Sequence, residues 1–426
     1  MPKISRRTAI IGGAAIVGAG AYLAKPSDKS GPRDPYFLKL QDAMGKAKIS
    51  TPTLIVDKSR LNANIDTLVG QLPEGMGYRI VSKSLPSLKL IQHIRERSGT
   101  DRLMTFNLPM LLALSQEMPE ASQLLGKPLP VGAADTYFKT LAPEASGAAS
   151  QVQWLVDTPK RLKEYADLAQ ATNQTLKINL ELDVGLHRGG MVAGEELGTA
   201  LDMINASPYL KFAGFMGYEP HVPAIPSIFG WRDRVLQSAW KKYEDGLAQA
   251  ASVFNPEVMA GITRNAAGSP TYRYYDTTKI ANEISAGSCL VKPTHYDTEL
   301  LSDHQAACFI ATPVLKSFTK AQTAGLEFAD GITRAWNPNA EKTIFTYGGN
   351  WMADPIDPPG LEYNPVFGRS SNQELINGGS KLDLDTDDYV FLRPQQSEAL
   401  FLQFGDIAVY EDGAIIDSWP VFPASA

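Results

Sequence analysis

The sequence predicts an α/β protein, with a closed (β/α)8 barrel followed by a C-terminal, mostly antiparallel β domain. Three observations support this prediction. Short apolar runs alternate with helical patterns from Thr51 onward, β-rich segments take over after about Leu300, and 426 residues can bury one large core and a smaller one. An open, doubly wound sheet is the alternative for the first domain.

The barrel prediction depends on apolar runs that have the length of buried strands. They lie at residues 54–56, 78–81, 102–105, 152–156, 176–182, 212–216 and 258–262. Helical patterns separate most of them, at residues 159–171, 195–206 and 231–254. This order favours parallel strands joined by helices.

The C-terminal prediction depends on strand-like runs at residues 306–314, 343–347, 388–392, 399–404, 407–410 and 414–419. Glu411-Asp412-Gly413 is typical of a hairpin turn. The predicted domains are an export signal at 1–24, a polar linker or N-terminal extension at 25–50, the barrel at 51–298 and the β domain at 299–426. The segment around 48–57 is a candidate additional strand of the β domain.

Composition and charge favour a function that involves small molecules. The net charge of −6 provides no broad basic surface, so binding to nucleic acid is not expected. The two cysteines, Cys289 and Cys308, lack the spacing of a metal site and are expected to be buried thiols, although an oxidising compartment would permit a disulfide.

The N-terminus has the outline of a twin-arginine export signal. Ser5-Arg6-Arg7 precedes an apolar run rich in Gly and Ala that ends at Ala24. A membrane anchor is the alternative, but the 16 residues from Ala9 to Ala24 are fewer than the roughly 20 that a spanning helix needs. We therefore expect a periplasmic or otherwise exported protein.

Lys83 is the first candidate for catalysis. It follows the apolar run 78–81, which places an amine at the carboxyl end of an early barrel strand, where barrel active sites form. Such a lysine can attack an aldehyde when its surroundings make the neutral amine available. Taken alone, a lysine in this position is more often a solvated residue.

Three blocks of sequence resemble the pyridoxal-phosphate-dependent alanine racemase-like barrel class, and within it the D-threonine aldolase and D-serine dehydratase family. They are RIVSKS at 79–84, ELDVGLHRGG at 181–190 and GFMGYEPH at 214–221. The resemblance implies pyridoxal 5′-phosphate as the cofactor, attached to Lys83. It also implies that Arg188, Tyr218 and His221 face the cofactor, with His221 as a proton carrier because its pKa is ordinarily near neutrality.

Two further segments resemble loops that bind the cofactor phosphate in this family. They are NAAGSPTY at 265–272 and AGS at 286–288. Their candidate ligands are Gly268, Ser269, Gly287 and Ser288, because backbone amides at glycines together with a hydroxyl suit a phosphate group.

The sequence departs from its relatives at two positions. Ser285 stands where alanine racemases carry the arginine that supports the pyridine nitrogen, which argues against an alanine racemase proper. The relatives' metal-binding His-x-Cys or His-x-Asp pair corresponds here to Gln396 and Glu398. An amide is a poor zinc ligand, so Glu398 is only a weak metal candidate and a bound divalent metal is doubtful.

The resemblance implies a lyase that acts on a D-amino acid, with a β-hydroxy D-amino acid as the expected substrate. Aldol cleavage and β-elimination remain open. The alternatives are an amino-acid racemase and a noncatalytic periplasmic protein that binds the cofactor or an amino acid. A homodimer is the expected assembly.

Overall fold

The computed structural model describes residues 25–276, 279–325 and 327–423, and the predicted export signal at 1–24 lies outside these ranges. The chain divides into two compact units. The first contains residues 25–55, 309–394 and 412–416, and the second contains residues 56–308, 395–411 and 417–423. Each unit therefore combines separate stretches of the chain, whereas the domains predicted at 51–298 and 299–426 are continuous except for the added strand expected around 48–57.

The first unit begins with helix α1 (Pro35–Lys46), which lies in the segment predicted as a linker or extension. Asp34 caps the helix by accepting a hydrogen bond from the Tyr36 amide at 2.8 Å. The Phe37 ring packs on Phe309 and Phe391, with centroid separations of 5.2 and 5.0 Å. Strand β1 (Thr53–Asp57) then leads into the second unit.

Eight parallel strands form a closed barrel in the second unit. They are β2 (Gly77–Val81), β3 (Arg102–Thr105), β4 (Ser122–Leu125), β5 (Val152–Val156), β6 (Leu176–Leu182), β7 (Leu210–Gly217), β8 (Thr263–Ala266) and β9 (Glu283–Ala286). Each strand pairs with the next, and β2 pairs with β9 to close the ring. The predicted barrel is confirmed and the open-sheet alternative is wrong.

Helices surround these strands in the chain order expected for a barrel. They are α2 (Lys58–Gly70), α3 (Leu88–Ser98), α4 (Leu108–Glu117), α5 (Val131–Thr140), α6 (Pro159–Thr172), α7 (Glu195–Ala206), α8 (Trp231–Val253), α9 (Pro256–Gly261) and α10 (Ser288–Val291). Side-chain caps fix several starting points. Asn107, for example, accepts from the Met110 amide at 2.9 Å, and Thr158 accepts from the Arg161 amide at 3.2 Å.

Arg79 and Glu283 form a buried ion pair in the barrel. Arg79 donates from Nε to Oε1 of Glu283 at 2.6 Å, and its Nη1 donates to the carbonyl oxygens of Leu103 and Ser122. Asn265 donates to the same Glu283 oxygen at 2.8 Å. The carboxylate accepts enough hydrogen bonds to offset its burial, and these attractions lower the pKa of Glu283 despite the opposing effect of burial.

Antiparallel strands dominate the rest of the chain. They are β10 (Cys308–Phe318), β11 (Lys342–Tyr347), β12 (Ala353–Asp357), β13 (Glu362–Tyr363), β14 (Gln373–Gly378), β15 (Tyr389–Pro394), β16 (Ile407–Glu411) and β17 (Ala414–Trp419), with helix α11 (Asp330–Trp336) between β10 and β11. Strand β10 pairs antiparallel with β11 and β15, and β14 pairs antiparallel with β11 and β13. The predicted antiparallel β domain is thus confirmed.

Two predicted strands are wrong. Residues 258–262 lie mostly in α9, because Asn255 caps that helix by accepting from the Val258 amide at 2.9 Å and Pro256 suits its first turn. Residues 399–404 form turns, in which the Leu400 and Phe401 amides both donate to the Ser397 carbonyl. Local hydrogen bonding overrides the apolar pattern in both segments.

Cys289 and Cys308 are both buried, and neither forms a disulfide. Burial raises the pKa of Cys289 to about 12. In the described part of the chain, no helix has the length and apolar character needed to cross a membrane.

Candidate active site

A cavity lies at the carboxyl end of the barrel, where loops after several strands meet. It is lined by Val81, Lys83, Ser84, Met104, Phe106, Arg188, Met216, Tyr218, Asn265, Ala267, Gly268, Ser269, Ser285, Gly287, Ser288, Tyr296 and Glu398. All the residues predicted to bind the cofactor are among them, as is the weak metal candidate Glu398. We call this the Lys83 cavity.

Lys83 lies in the short helical turn Ser82–Ser84 directly after β2. The preceding Ser82 is fully buried and donates to the Met104 carbonyl at 2.6 Å, which fixes the turn against β3. Lys83 itself is about half exposed, and its Nζ lies 4.9 Å from the centroid of the Phe106 ring. The turn therefore directs the Lys83 amine into the cavity.

Glu398 is the acidic partner of this amine. Its Oε1 lies 3.7 Å from Lys83 Nζ and accepts hydrogen bonds from Ser84 Oγ at 2.7 Å and Ser288 Oγ at 3.3 Å. Ser397 donates to its other oxygen at 3.3 Å. Serine hydroxyl groups therefore surround the carboxylate beside the lysine.

Arg188 reaches the cavity from the loop after β6. Asp183 shapes this loop by accepting from the Gly185 and His187 amides at 2.9 and 3.0 Å. Gly190 has a φ of +94°, and a Cβ there would lie 2.7 Å from the Asp183 nitrogen, so the turn requires glycine. The guanidinium carbon of Arg188 lies 5.6 Å from the Tyr218 ring centroid, as in a cation–π contact.

Glu181 lies near the Arg188 loop, at the end of β6. Burial raises the pKa of Glu181 to about 7, and the carboxylates of Asp157 and Asp183 act in the same direction, while the Arg188 guanidinium opposes them. This carboxyl group therefore exchanges a proton near neutral pH.

Tyr218 and Glu219 follow β7. Burial raises the pKa of Tyr218 well above its usual value, so the phenol stays neutral. Gly268 lies directly against this ring, because a Cβ there would be 2.4 Å from it. Glu219 is buried and accepts from Tyr275 at 2.9 Å, and its Oε1 has no hydrogen-bond partner within the described ranges. Burial raises the pKa of Glu219 to about 7.

The two predicted phosphate loops lie side by side. Ser269 Oγ accepts from the backbone amides of Gly287 and Cys289, both at 3.1 Å, which joins the loop after β8 to the loop after β9. A Cβ at Gly287 would lie 2.8 Å from the Val81 carbonyl oxygen, so only glycine permits this approach. Burial raises the pKa of the nearby Tyr296 to about 12, which leaves its hydroxyl as a neutral donor.

The deeper wall of the cavity is polar but neutral. Asn265 donates to Ser285 Oγ at 2.7 Å. Ser285 is the residue that takes the place of the arginine expected in an alanine racemase. The serine hydroxyl at this position therefore accepts a hydrogen bond from an amide.

His221 does not reach the Lys83 cavity. It lines a second cavity together with Val184, Gly185, His187, Trp231, Arg234, Val235, Ser238 and Lys242. The reason is local: the chain leaves β7 through the short helical turn Val222–Ala224, with the Val222 amide donating to the Glu219 carbonyl at 3.1 Å. The structure therefore separates His221 from Lys83, and its predicted role as proton carrier has no geometric support.

Gln396 also lies apart from the Lys83 cavity. Its amide nitrogen is 3.3 Å from Nδ1 of His295. Within residues 25–276, 279–325 and 327–423, no three His, Cys, Asp or Glu side chains form a group that could hold a metal ion.

One family of known proteins matches the segment that builds this site. The sequence model described as alanine racemase, N-terminal domain, matches residues 56–294, which include the whole barrel and Lys83. The chain belongs to this family. The resemblance predicted from the three sequence blocks is therefore confirmed.

Solved structures resemble most of the length of this alanine racemase family member. D-threonine aldolase from Filomicrobium marinum is 16% identical, with a TM-score of 0.67 over 88% of this chain and 95% of that chain. D-threo-3-hydroxyaspartate dehydratase from Delftia sp. HT23 is 13% identical, with a TM-score of 0.66 over 88% and 98%. Alanine racemase from Clostridium difficile 630 is 12% identical, with a TM-score of 0.64 over 86% and 97%.

At these identities the similarity shows the fold and leaves the reaction open. No curated protein sequence matches the chain.

Sequence reasoning about this alanine racemase family member missed several residues of the cavity. Ser84, Asn265 and Tyr296 line it, and Glu219 directly follows the lining residue Tyr218. Ser84, Asn265 and Glu219 stand inside the blocks that carried the resemblance, but nothing within the blocks distinguished them from their neighbours. Tyr296 had no motif to mark it and could be found only from the structure.

Proposed function

We propose that this chain binds pyridoxal 5′-phosphate through Lys83 and cleaves a β-hydroxy D-amino acid as a lyase. The single observation that carries the proposal is the position of the Lys83 amine, in a cavity whose walls also hold Arg188, Tyr218 and a cluster of serine hydroxyls. An amine at the carboxyl end of a barrel strand is well placed to attach an aldehyde.

The donor set fits the cofactor. Ser269, Ser288 and Tyr296 supply neutral hydroxyl groups for a phosphate, and the small Gly268 and Gly287 let two loops approach closely. Glu398 opposes this fit, since its carboxylate accepts from Ser288 and would repel a phosphate nearby. Binding would therefore require Glu398 to release Ser288.

The bound cofactor would supply an electron-accepting ring that stabilises negative charge at the substrate α-carbon. In aldol cleavage Glu398 Oε1, 3.7 Å from Lys83 Nζ, would accept the proton of the substrate β-hydroxyl as the bond between the α- and β-carbons breaks, and Lys83 Nζ would deliver a proton to the α-carbon. Arg188 would bind the substrate carboxylate, because its planar guanidinium is well suited to a carboxylate. Tyr218 would hold Arg188 in place through the contact between their side chains.

The substrate class is supported by two neighbours and one residue. D-threonine aldolase and D-threo-3-hydroxyaspartate dehydratase carry a β-hydroxy D-amino acid in their names. Glu398 already accepts hydrogen bonds from hydroxyl groups and could accept one from a β-hydroxyl in the same way. Aldol cleavage would give glycine and an aldehyde, whereas elimination of water would lead to a keto acid and ammonia.

The attachment test uses borohydride, which fixes a reversible imine permanently. We expect purified protein to absorb as a cofactor-bound lysine and to carry the label on the peptide that contains Lys83. A label on another lysine would overturn the assignment.

The reaction test uses a panel of D- and L-amino acids, with aldehyde, ammonia and chirality measured in deuterated water. Aldehyde or ammonia from a β-hydroxy D-amino acid supports the lyase. Deuterium exchange with inversion and without cleavage would replace it by a racemase, and cofactor absorbance without any turnover would indicate a noncatalytic binding protein.

We also propose that catalysis proceeds without zinc, because the amide of Gln396 binds zinc weakly and Glu398 is engaged by Lys83 and two serine residues. Dialysis against a strong chelator should leave turnover nearly unchanged. Stoichiometric zinc whose removal stops turnover would contradict this and restore a metal role for Glu398.

A further inference from the structure

The second cavity, which contains His221, is built differently from the Lys83 cavity. It lies beside the loops after β6 and β7 and against the first turns of α8, and none of its lining residues belongs to the Lys83 cavity. Its apolar wall comes from Val184, Val235 and Trp231. The remaining lining is mostly cationic or able to donate hydrogen bonds.

Two of these cationic or donor groups converge over one glycine. A Cβ placed on Gly185 would lie 3.4 Å from His221 Nε2 and also 3.4 Å from Lys242 Nζ. Both nitrogens therefore face the same small space. Lys242 and His187 are close enough to lower the pKa of His221, in addition to the larger effect of its burial.

Partners for these groups are lacking. No ion pair of Lys242 occurs within the described residues, whereas Lys241, its neighbour on α8, pairs with Asp245. On the His221 ring the other nitrogen, Nδ1, is buried and has no hydrogen-bond partner in the described part of the chain, whereas Nε2 is the nitrogen that faces this space. Asp183 is the nearby carboxylate, and its oxygens already accept from two backbone amides and from His187.

Arg234 adds a further positive charge at the edge of the cavity. One guanidinium nitrogen donates to the Phe229 carbonyl at 2.8 Å, which orients the side chain and leaves other donors available. The cavity thus gathers donors and positive charge without a matching acceptor. Charges of one sign that line a cleft raise the local concentration of a counter-ion.

We propose that this second cavity is a binding site for a tetrahedral oxyanion, either free phosphate or the phosphate group of a small monoester. Lys242 and His221 contact the oxyanion from two sides above Gly185, and Arg234 attracts it from the edge. Several donors directed at one point suit an anion with several acceptor oxygens. We call this the oxyanion cavity.

The site does not depend on the cofactor or on Lys83. It does adjoin the Asp183 to Gly190 loop, because Gly185 and His187 line it while Arg188 of the same loop lines the Lys83 cavity. A bound oxyanion would therefore hold the loop that presents Arg188.

The first experiment measures binding of inorganic phosphate to the full chain by calorimetry, and repeats it with a glycerol phosphate to separate the free anion from a monoester. We expect Lys242→Met to weaken binding by about tenfold or more, since a charge-assisted hydrogen bond is lost. Lys241→Met is the matched control, because Lys241 is one residue away and outside the cavity; its affinity should equal that of the wild type.

The second experiment locates the ion. The chain has five histidines, so a histidine-labelled sample gives few imidazole resonances. Phosphate should shift those of His187 and His221, as assigned with His187→Gln and His221→Gln. Equal phosphate affinity of Lys242→Met and the wild type, or a titration that leaves both imidazoles unshifted, would overturn the proposal.

Discussion

The Lys83 cavity and the oxyanion cavity are both built from loops at the carboxyl end of one barrel, yet they differ in charge balance. In the first, the Lys83 amine has the Glu398 carboxylate 3.7 Å away, and serine hydroxyls surround that carboxylate. In the second, Lys242 and His221 face one space without a free carboxylate among the described residues. One cavity carries its own counter-charge, and the other lacks one.

This difference indicates what each cavity requires from a ligand. A ligand of the Lys83 cavity has to displace an internal carboxylate, so an anionic ligand meets competition there. A ligand of the oxyanion cavity completes a set of unused donors and meets no such competition. The same strand ends can therefore support a covalent site and a simple anion site.

The largest effect is expected from Lys83→Ala. Among the described residues, Lys83 is the only lysine that lines the Lys83 cavity. Turnover should fall by about 10³-fold or more, because the nucleophilic amine is lost, and phosphate affinity of the oxyanion cavity should not change. Steady-state kinetics and calorimetry measure the two effects. Lys89→Ala is the control, since that exposed lysine pairs with Asp417. Substantial turnover by Lys83→Ala would show that Lys83 is not the covalent residue, and the contrast between a covalent site and a simple anion site would be lost.

A second effect is expected from Glu219, which stands in the chain between Tyr218 of the Lys83 cavity and His221 of the oxyanion cavity. Its carboxyl group should make the stability of the protein depend on pH. Its pKa is raised to about 7 by burial, above the value of about 4.3 in an unfolded chain. The folded protein therefore keeps a proton that the unfolded chain loses, and the free energy of unfolding falls as pH rises from about 4.5 to about 7, by roughly 2–3 kcal/mol from this group.

Glu219→Gln should remove that part of the pH dependence, because the amide does not ionise. Urea unfolding at about pH 5 and about pH 8 measures it. Glu117→Gln, at an exposed position, provides the matched control. Equal slopes for Glu219→Gln and the wild type would mean that Glu219 is ionised throughout.

A smaller effect is expected from Glu398→Gln on cofactor affinity. The substitution removes the negative charge that competes for Ser84 and Ser288, so pyridoxal 5′-phosphate should bind about tenfold more tightly. Spectroscopic titration of the apoprotein gives the affinity. Weaker binding in the variant would show that the carboxylate assists the cofactor.

The smallest effect is expected from His221→Gln on turnover, which should stay within about twofold of the wild type because His221 lines the other cavity. Phosphate affinity of the oxyanion cavity should fall in the same protein. A loss of turnover of about a hundredfold or more would instead restore His221 as the proton carrier.

Much of the fold and of the Lys83 cavity could be predicted from the sequence. Continuous apolar runs marked β5 and β6, and the carboxyl ends of parallel strands necessarily meet at one edge, which brings Lys83, Arg188 and Ser288 together. Strand β9 was missed because Glu283 and Ser285 point into a polar barrel interior, so the strand has no apolar run.

Other features follow from local turns and caps, or from contacts between distant positions, that the apolar pattern does not reveal. The placement of His221 follows from the turn at Val222–Ala224, and the helix α9 follows from the Asn255 cap. Lys83 and Glu398 form an ion pair although they are far apart in the chain, and no periodicity or motif relates the two positions.

The segment that carries Glu398 has a consequence for biosynthesis. Ser84 and Glu398 are 314 positions apart, and residues 395–411 belong to the same unit as the barrel. Because synthesis runs from the N-terminus, Lys83 and Ser84 leave the ribosome long before Glu398 is added. A barrel that folded at that stage would carry the Lys83 amine without its carboxylate partner, and an aldehyde that reached it would meet an amine without a counter-charge.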